Sequence, residues 1–256
     1  MSRWELRRGE ALASLAAMPD ESVDGIVTDP PYSSGGQFRG DRTASTPNKY
    51  VQTGQREVHA GFTGDSRDAR GWAFWCALWL AECHRAAKPG APICLFTDWR
   101  QLPATTDVLQ AGGFVHRGIV VWDKTEAVRP CLGRFRSQCE FVVWGSKGPM
   151  PMGRAVPVLP GAMRQGNRTD DKHHQTGKPT PVIRWLVQIV EAGGLVLDPF
   201  AGSGTPGVAA LLEGRRFLGF EIDAGYADIA ERRLKAAETG RALSSPGLYD
   251  EPPDEN

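Results

Sequence analysis

The sequence predicts a doubly wound α/β fold, a mostly parallel sheet with helices on both faces. Three observations carry this expectation. The apolar run Leu195-Val196-Leu197 leads through Asp198-Pro199-Phe200-Ala201-Gly202-Ser203-Gly204-Thr205 into a helix, and a second strand, Arg216–Glu221, follows and ends in an acid. A strand, a glycine-spaced turn, a helix and a strand with a terminal acid make the nucleotide-binding half of such a fold, because glycines adopt positive φ and let a ligand approach the backbone. Second, the β-rich run Val23–Thr28 is stopped by Pro30 and Pro31, as a buried strand entering a rigid loop is. Third, 256 residues of ordinary hydrophobic content (41%) suffice for one large α/β core.

The elements follow in order. Glu10–Ala17 reads as a short amphipathic helix ended near Pro19, and Val23–Thr28 as the first central strand. Residues 33–67 are rich in Gly, Ser, Thr and Arg without periodicity, which reads as a long loop. Loops of that length in compact domains are usually functional, and this one directly follows Tyr32, which suggests a lid. Asp68–Ala87 is a helix whose aromatics, Trp72, Phe74, Trp75 and Trp79, are assigned mostly to core packing. Cys76 and Cys83 on it read as packing thiols. Ala91–Thr97 is a strand, with a helix running to Ala111. Phe114–Trp122 and Glu140–Trp144 read as an antiparallel pair closing the sheet edge, and the link Asp123–Cys139 holds Arg129, Arg134 and Arg136. Gly145–Asp171 is too short for a core of its own. Helices are expected at Val182–Glu191 and Gly207–Glu213. There is no internal repeat. Residues 241–256, with Asp250, Glu251, Asp254 and Glu255 near three prolines, are expected to be a disordered acidic tail.

Asp29-Pro30-Pro31-Tyr32 carries the most chemistry. Neither proline has an N–H, so the backbone carbonyls stay free to accept from a ligand. An acid, a carbonyl and an aromatic ring so close together can hold an amino group on a flat heterocycle: the oxygens accept its hydrogens and the ring stacks on the base. A strand-end turn with a solvated Asp is the competing reading of four residues alone. Downstream, Glu221 is placed to accept from a ribose hydroxyl. The Asp198–Thr205 string argues against a NAD-type unit.

The tetrad resembles the catalytic motif of DNA amino-methyltransferases, which methylate exocyclic nitrogens of adenine or cytosine. The Asp198–Thr205 string resembles the S-adenosylmethionine loop of methyltransferases. His174-Gln175-Thr176-Gly177-Lys178-Pro179 looks like the segment that closes over the methionine end of that cofactor, with Lys178 serving its carboxylate and Gln175 and Thr176 capping a helix or the ligand. Target motif first, closing segment next and cofactor loop last is an order similar to the β class, a circular permutation of the usual arrangement. The resemblance spans Arg8 to Leu234. It implies a Rossmann-like methyltransferase sheet of seven strands, mostly parallel with one antiparallel. It implies one catalytic domain over residues 1–240, with recognition insertions at 33–67, 123–139 and 145–172. The implied catalytic residues are Asp29, Pro30, Pro31 and Tyr32. The implied cofactor residues are Glu10, Asp29, His174, Thr176, Lys178, Asp198, Phe200, Ala201, Gly202, Ser203, Gly204, Thr205, Glu221 and Asp223. Glu10 departs from the family, which more often has Gly-Asp where Gly9-Glu10 stands beside the adenine. Asp-Pro-Pro-Tyr usually accompanies adenine N6, and Ser-Pro-Pro-Tyr cytosine N4, so adenine is favoured. Cytosine N4, an RNA substrate and a non-catalytic nucleic-acid-binding protein stay open. The family needs no metal, and His173 with His174 has no third ligand at suitable spacing.

Double-stranded DNA is the implied partner, yet the net charge is zero, with 30 basic and 30 acidic residues. The average conceals an asymmetry: Arg129–Lys172 holds eight Lys or Arg against three acids. Phosphate contact is local, so Arg39, Arg42, Arg129, Arg134, Arg136, Arg164 and Arg168 are the expected DNA contacts. The small insertions imply a short recognition sequence or relaxed specificity. A homodimer is admissible because members of the class often pair, though no heptad or apolar stripe argues for one. No stretch of about 18 apolar residues occurs, so no membrane span is expected. Met1–Glu10 is charged rather than signal-like. Five cysteines without a Cys-x-x-Cys pair read as reduced thiols, and together these features suggest a cytoplasmic location.

Overall fold

The computed structural model describes residues 2–31, 68–128, 130, 132–166 and 178–240. Its strands are β1 (Trp4–Arg8), β2 (Gly25–Thr28), β3 (Pro92–Thr97), β4 (Val115–Asp123), β5 (Cys139–Ser146), β6 (Ala162–Arg164), β7 (Leu195–Asp198) and β8 (Arg216–Glu221). Its helices are α1 (Ala11–Ala16), α2 (Ala69–Ala86), α3 (Leu102–Ala111), α4 (Thr180–Val187), α5 (Thr205–Leu212) and α6 (Ala224–Glu238). The strands form one sheet in the order β1-β8-β7-β2-β3-β5-β4-β6. Among the described residues only β5 is antiparallel to its neighbours, β3 and β4, and every other pairing is parallel.

Among the described residues the sheet has eight strands where seven were expected. Neither β1 nor β6 was legible as a strand. Trp4-Glu5-Leu6-Arg7-Arg8 is mostly charged because it is an edge strand, half-exposed, and its pairing with Phe217–Glu221 makes it a strand. Ala162-Met163-Arg164 is too short to show a period, and pairs with Val121–Asp123. The predicted antiparallel pair is present, but β6 covers its outer strand and takes the sheet edge. Helix starts moved as well. Both α4 and α5 begin before the predicted residues because Pro181 and Pro206 lie in their first turns, where proline costs no hydrogen bond.

Alternation along the strands divides the core between two faces, as period-two geometry requires. Ile26, Ile93, Leu95, Val143, Leu197, Leu218 and Phe220 pack with Leu15, Trp72, Trp79, Leu80 and Leu109 from α1, α2 and α3. Val27, Cys94, Phe96, Val142, Val196 and Phe217 pack with Val182, Leu186, Val208 and Leu234 from α4, α5 and α6. Strands buried on both faces read as continuous apolar runs, as β2, β3 and β7 do. Asp68 caps α2 by accepting from the Gly71 N–H at 2.7 Å. At the other end of α2, Arg85 donates to the Leu15 and Met18 carbonyls and fastens α1 to α2. Trp72 and Trp79 are buried as expected, whereas Phe74 is 69% exposed and departs from the core assignment. Cys76, Cys83, Cys94 and Cys139 are thiols outside any disulfide, the first three buried. Among the described residues no helix is long and apolar enough to cross a membrane.

Candidate active site

Parallel order places the ends of β2, β7 and β8 along one edge of the sheet, where ligands bind in open α/β folds. Because β5 is antiparallel, its first residues, Cys139 and Glu140, reach the same edge.

Asp29 leaves β2 at that edge. Its Oδ2 accepts from Lys178 Nζ at 2.7 Å, while its Oδ1 is buried with no hydrogen-bond partner among the described residues. Burial pushes the Asp29 carboxyl above the ordinary range, against the opposing pull of Lys178. Pro30 is buried. The Pro31 carbonyl accepts from the indole N–H of Trp72 at 2.9 Å, so α2 anchors the proline pair. Lys178 is thus on the target side of the site, against Asp29. Tyr32, His174 and Thr176 lie outside the described residues.

The second half follows β7. Asp198 is buried; its Oδ1 accepts from Thr28 Oγ1 at 2.6 Å and from the Phe200 N–H at 3.0 Å, and its Oδ2 has no partner among the described residues. Burial pushes its carboxyl up to about 7, the two bonds opposing, with Asp29 and Glu221 adding to the rise. The Phe200 ring packs on Trp75 and Trp79 at 5.4 and 5.1 Å. Gly202 and Gly204 take positive φ of 51° and 80°. The Ala201 N–H donates to the Phe220 carbonyl at 2.9 Å, tying the turn to β8. Glu221 accepts from the Gly202 N–H at 2.7 Å and the Asp223 N–H at 2.8 Å, and burial raises its carboxyl. Ser203 and Thr205 turn their hydroxyls to the buried guanidinium of Arg233, at 3.1 and 3.0 Å. Glu10 and Asp223 cap helices: Glu10 accepts from the Ala13 N–H at 2.8 Å and Asp223 from the Tyr226 N–H at 2.9 Å.

Of the expected DNA contacts, Arg39, Arg42, Arg129 and Arg168 lie outside the described residues. Arg134 and Arg136 stand exposed on the loop between β4 and β5, where Arg136 donates to the Glu126 and Val128 carbonyls. Arg164, exposed, ends β6 at 3.7 Å from Asp123. Sequence reasoning missed Thr28, Trp72, Glu140 and Arg233. Only Thr28 had a signal, its place directly before the tetrad. Among the described residues no group of three or more His, Cys, Asp or Glu could hold a metal.

The fold is that of the DNA methyltransferases. Residues 23–161 and 158–232 match the N6/N4 methyltransferase family model, described as DNA methylase, and the chain belongs to that family. It is 28% identical over 256 residues to the type II methyltransferase M.HinfI of Haemophilus influenzae, a match covering 89% of this chain and 67% of that protein. The solved complex of M1.HpyAVI with S-adenosylmethionine shares the fold, with TM-score 0.64 and 21% identity over 90% of this chain and 98% of that one. So does the cytosine-N4-specific PvuII DNA methyltransferase, with TM-score 0.67 and 16% identity over 96% of each chain.

Proposed function

We propose that this chain transfers a methyl group from S-adenosylmethionine to the exocyclic N6 of an adenine flipped out of double-stranded DNA. The observation that carries the reading is Asp29: a buried carboxylate oxygen with no partner among the described residues, at the end of a central strand and next to two proline carbonyls, of which Trp72 takes only one.

The residues after β7 suit this cofactor. Asp198 Oδ2 is a buried acceptor with no partner among the described residues, Glu221 stands by the turn where a ribose would lie, and a Cβ on Gly202 would meet none of the described residues. When bound, S-adenosylmethionine supplies an electrophilic methyl group. The adenine amino group is a poor nucleophile because its lone pair is delocalised into the ring. Asp29 Oδ1 and the Pro30 carbonyl accept its two hydrogens and favour a pyramidal nitrogen. As N6 takes the methyl group it becomes positive; Asp29 stabilises that charge, and the displaced proton leaves by the same oxygen. Holding the two partners together supplies much of the remaining acceleration. The base cannot be reached inside a duplex, so it leaves the stack and lies on Tyr32. Arg134, Arg136 and Arg164, with Arg39, Arg42, Arg129 and Arg168, contact phosphates.

Cytosine N4 is the second reading, favoured by the fold likeness to the cytosine-N4-specific PvuII enzyme and by an amino group with the same two hydrogens. Methyl transfer from labelled S-adenosylmethionine to unmethylated genomic DNA, read by nucleoside mass spectrometry, decides between them. N6-methyladenine is expected; N4-methylcytosine would keep the mechanism and change the base. Asp29→Ala is expected to abolish transfer while retaining cofactor binding. Loss of cofactor binding in that variant would show the roles to be wrong.

A further inference from the structure

Three charged side chains from separate parts of the fold meet beside the tetrad. Asp29 follows β2, Glu140 opens β5, and Lys178 stands just ahead of α4. Lys178 Nζ lies 2.7 Å from Asp29 Oδ2 and 3.4 Å from Glu140 Oε2. It also sits 5.3 Å from the centre of the Phe96 ring. On its other side Glu140 receives Lys124 Nζ at 3.1 Å, on Oε1. Lys178 is buried, and an ammonium taken out of water is tolerated only where counter-charges replace its hydration. Here the two carboxylates do so from opposite strand ends.

The two oxygens of Asp29 are therefore unequal. One is held by Lys178; the other is buried and has no partner among the described residues. We propose that Lys178 is a positioning residue for methyl transfer: it fixes the Asp29 carboxylate so that Oδ1 is the oxygen offered to the target amino group, and Glu140 is the counter-charge that keeps Lys178 in place. The inference rests on the reading of Asp29 as the acceptor of that amino group. It moves Lys178 from the cofactor carboxylate, where the motif resemblance put it, to the base.

The electrostatics agree in sign. Burial raises Asp29, Glu140 adds to the rise, and Lys178 opposes both. Glu140 is held below its ordinary range because Lys178 and Lys124 together outweigh its burial. Asp198, on the neighbouring strand, is another acid coupled to Asp29. Removing the ammonium leaves only the raising influences on Asp29, so its charged form needs a higher pH. Removing the Glu140 charge takes away a raising influence, so its charged form persists to a lower pH. A lysine that merely filled space would not produce the first displacement.

The test uses the full chain. Carboxyl carbon NMR follows the titration of Asp29, and the pH profile of kcat/KM is taken with S-adenosylmethionine and unmethylated duplex DNA. K178M is expected to move the Asp29 titration and the acid limb of the profile upward by about one pH unit or more, and E140Q to move both downward. K178R, which keeps the charge, is expected to leave both near wild type and to restore most of the rate. S-adenosylmethionine affinity of K178M, by calorimetry, is expected to stay within about twofold of wild type. An Asp29 that titrates alike in wild type and K178M would overturn the proposal. So would an unshifted Asp29 with cofactor affinity down about tenfold. Should K178M fail to fold, K178Q, which keeps a polar side chain and loses its charge, takes its place with the same expected and refuting results. Failure of the functional reading looks different: wild type yields no methylated base, while the two variants still displace Asp29 in opposite directions.

Discussion

Asp198→Asn takes away one charge and keeps both hydrogen bonds, which makes it a clean measure of what a buried carboxylate costs this fold. The side chain is 1% exposed, and an Asn oxygen can still accept from Thr28 and Phe200. The carboxyl stands at about 7 when folded, against an ordinary 3.8. A raised acid binds its proton more tightly in the folded chain. Its contribution to stability is therefore fully present below the unfolded value and is lost as pH rises through the folded one. The displacement corresponds to about 4 kcal/mol, an upper figure because Asp29 and Glu221 titrate with it. Urea unfolding at a series of pH values, without cofactor, gives the comparison. Between about pH 4 and pH 8 the wild-type chain is expected to lose about 2–4 kcal/mol relative to the Asn variant, with unchanged m. At pH 8 the variant is thus the more stable protein, yet it is expected to bind S-adenosylmethionine about tenfold more weakly, for want of a charged acceptor. Parallel stability curves for the two proteins would refute the reasoning.

Three further outcomes are expected. Trp72→Phe removes the indole N–H from the Pro31 carbonyl, and should cost about 1 kcal/mol in denaturant titration. It should also lower kcat while calorimetry finds cofactor affinity unchanged. Gly204→Ala meets Ala230 Cβ at 2.9 Å as well as a positive φ, whereas Gly202→Ala has the φ alone. Both lose about 1 kcal/mol to backbone conformation, and the first should lose clearly more by thermal or urea unfolding. Glu221→Gln puts an amide hydrogen against the Gly202 or Asp223 N–H, so the turn opens and cofactor affinity should fall about tenfold by calorimetry, with the methylated base unchanged.

What could be read in the sequence was local. The strand at Val23–Thr28, the glycine turn after Asp198, the acid ending β8 and the helix at Asp68–Ala87 depend on neighbours a few residues away, and each is present. The unread elements depend on partners far along the chain. Trp4–Arg8 becomes a strand because Phe217–Glu221 lies beside it. Lys178 carried a motif that pointed to cofactor, and its bond to Asp29, 149 residues earlier, had no local signal. Glu140 is an ordinary acid in a strand until the antiparallel turn of β5 brings its carboxylate to the edge. Phe74 shared a helix with buried tryptophans and differed only in the face it occupied.

The bond between Thr28 and Asp198 joins points 170 residues apart, and β2 lies between β3 and β7 in the sheet. During synthesis, Asp29 is made early and its companion late. Until β7 arrives, β2 has only β3 to pair with, and the side of the central strand that will carry the cofactor turn stays open. Closing that gap is a long-range step, slow by its topology. An unpaired strand side is also an invitation to other chains. A chain stopped before Leu195 therefore keeps the whole tetrad and lacks the strand that completes it: a sticky intermediate, not a smaller enzyme.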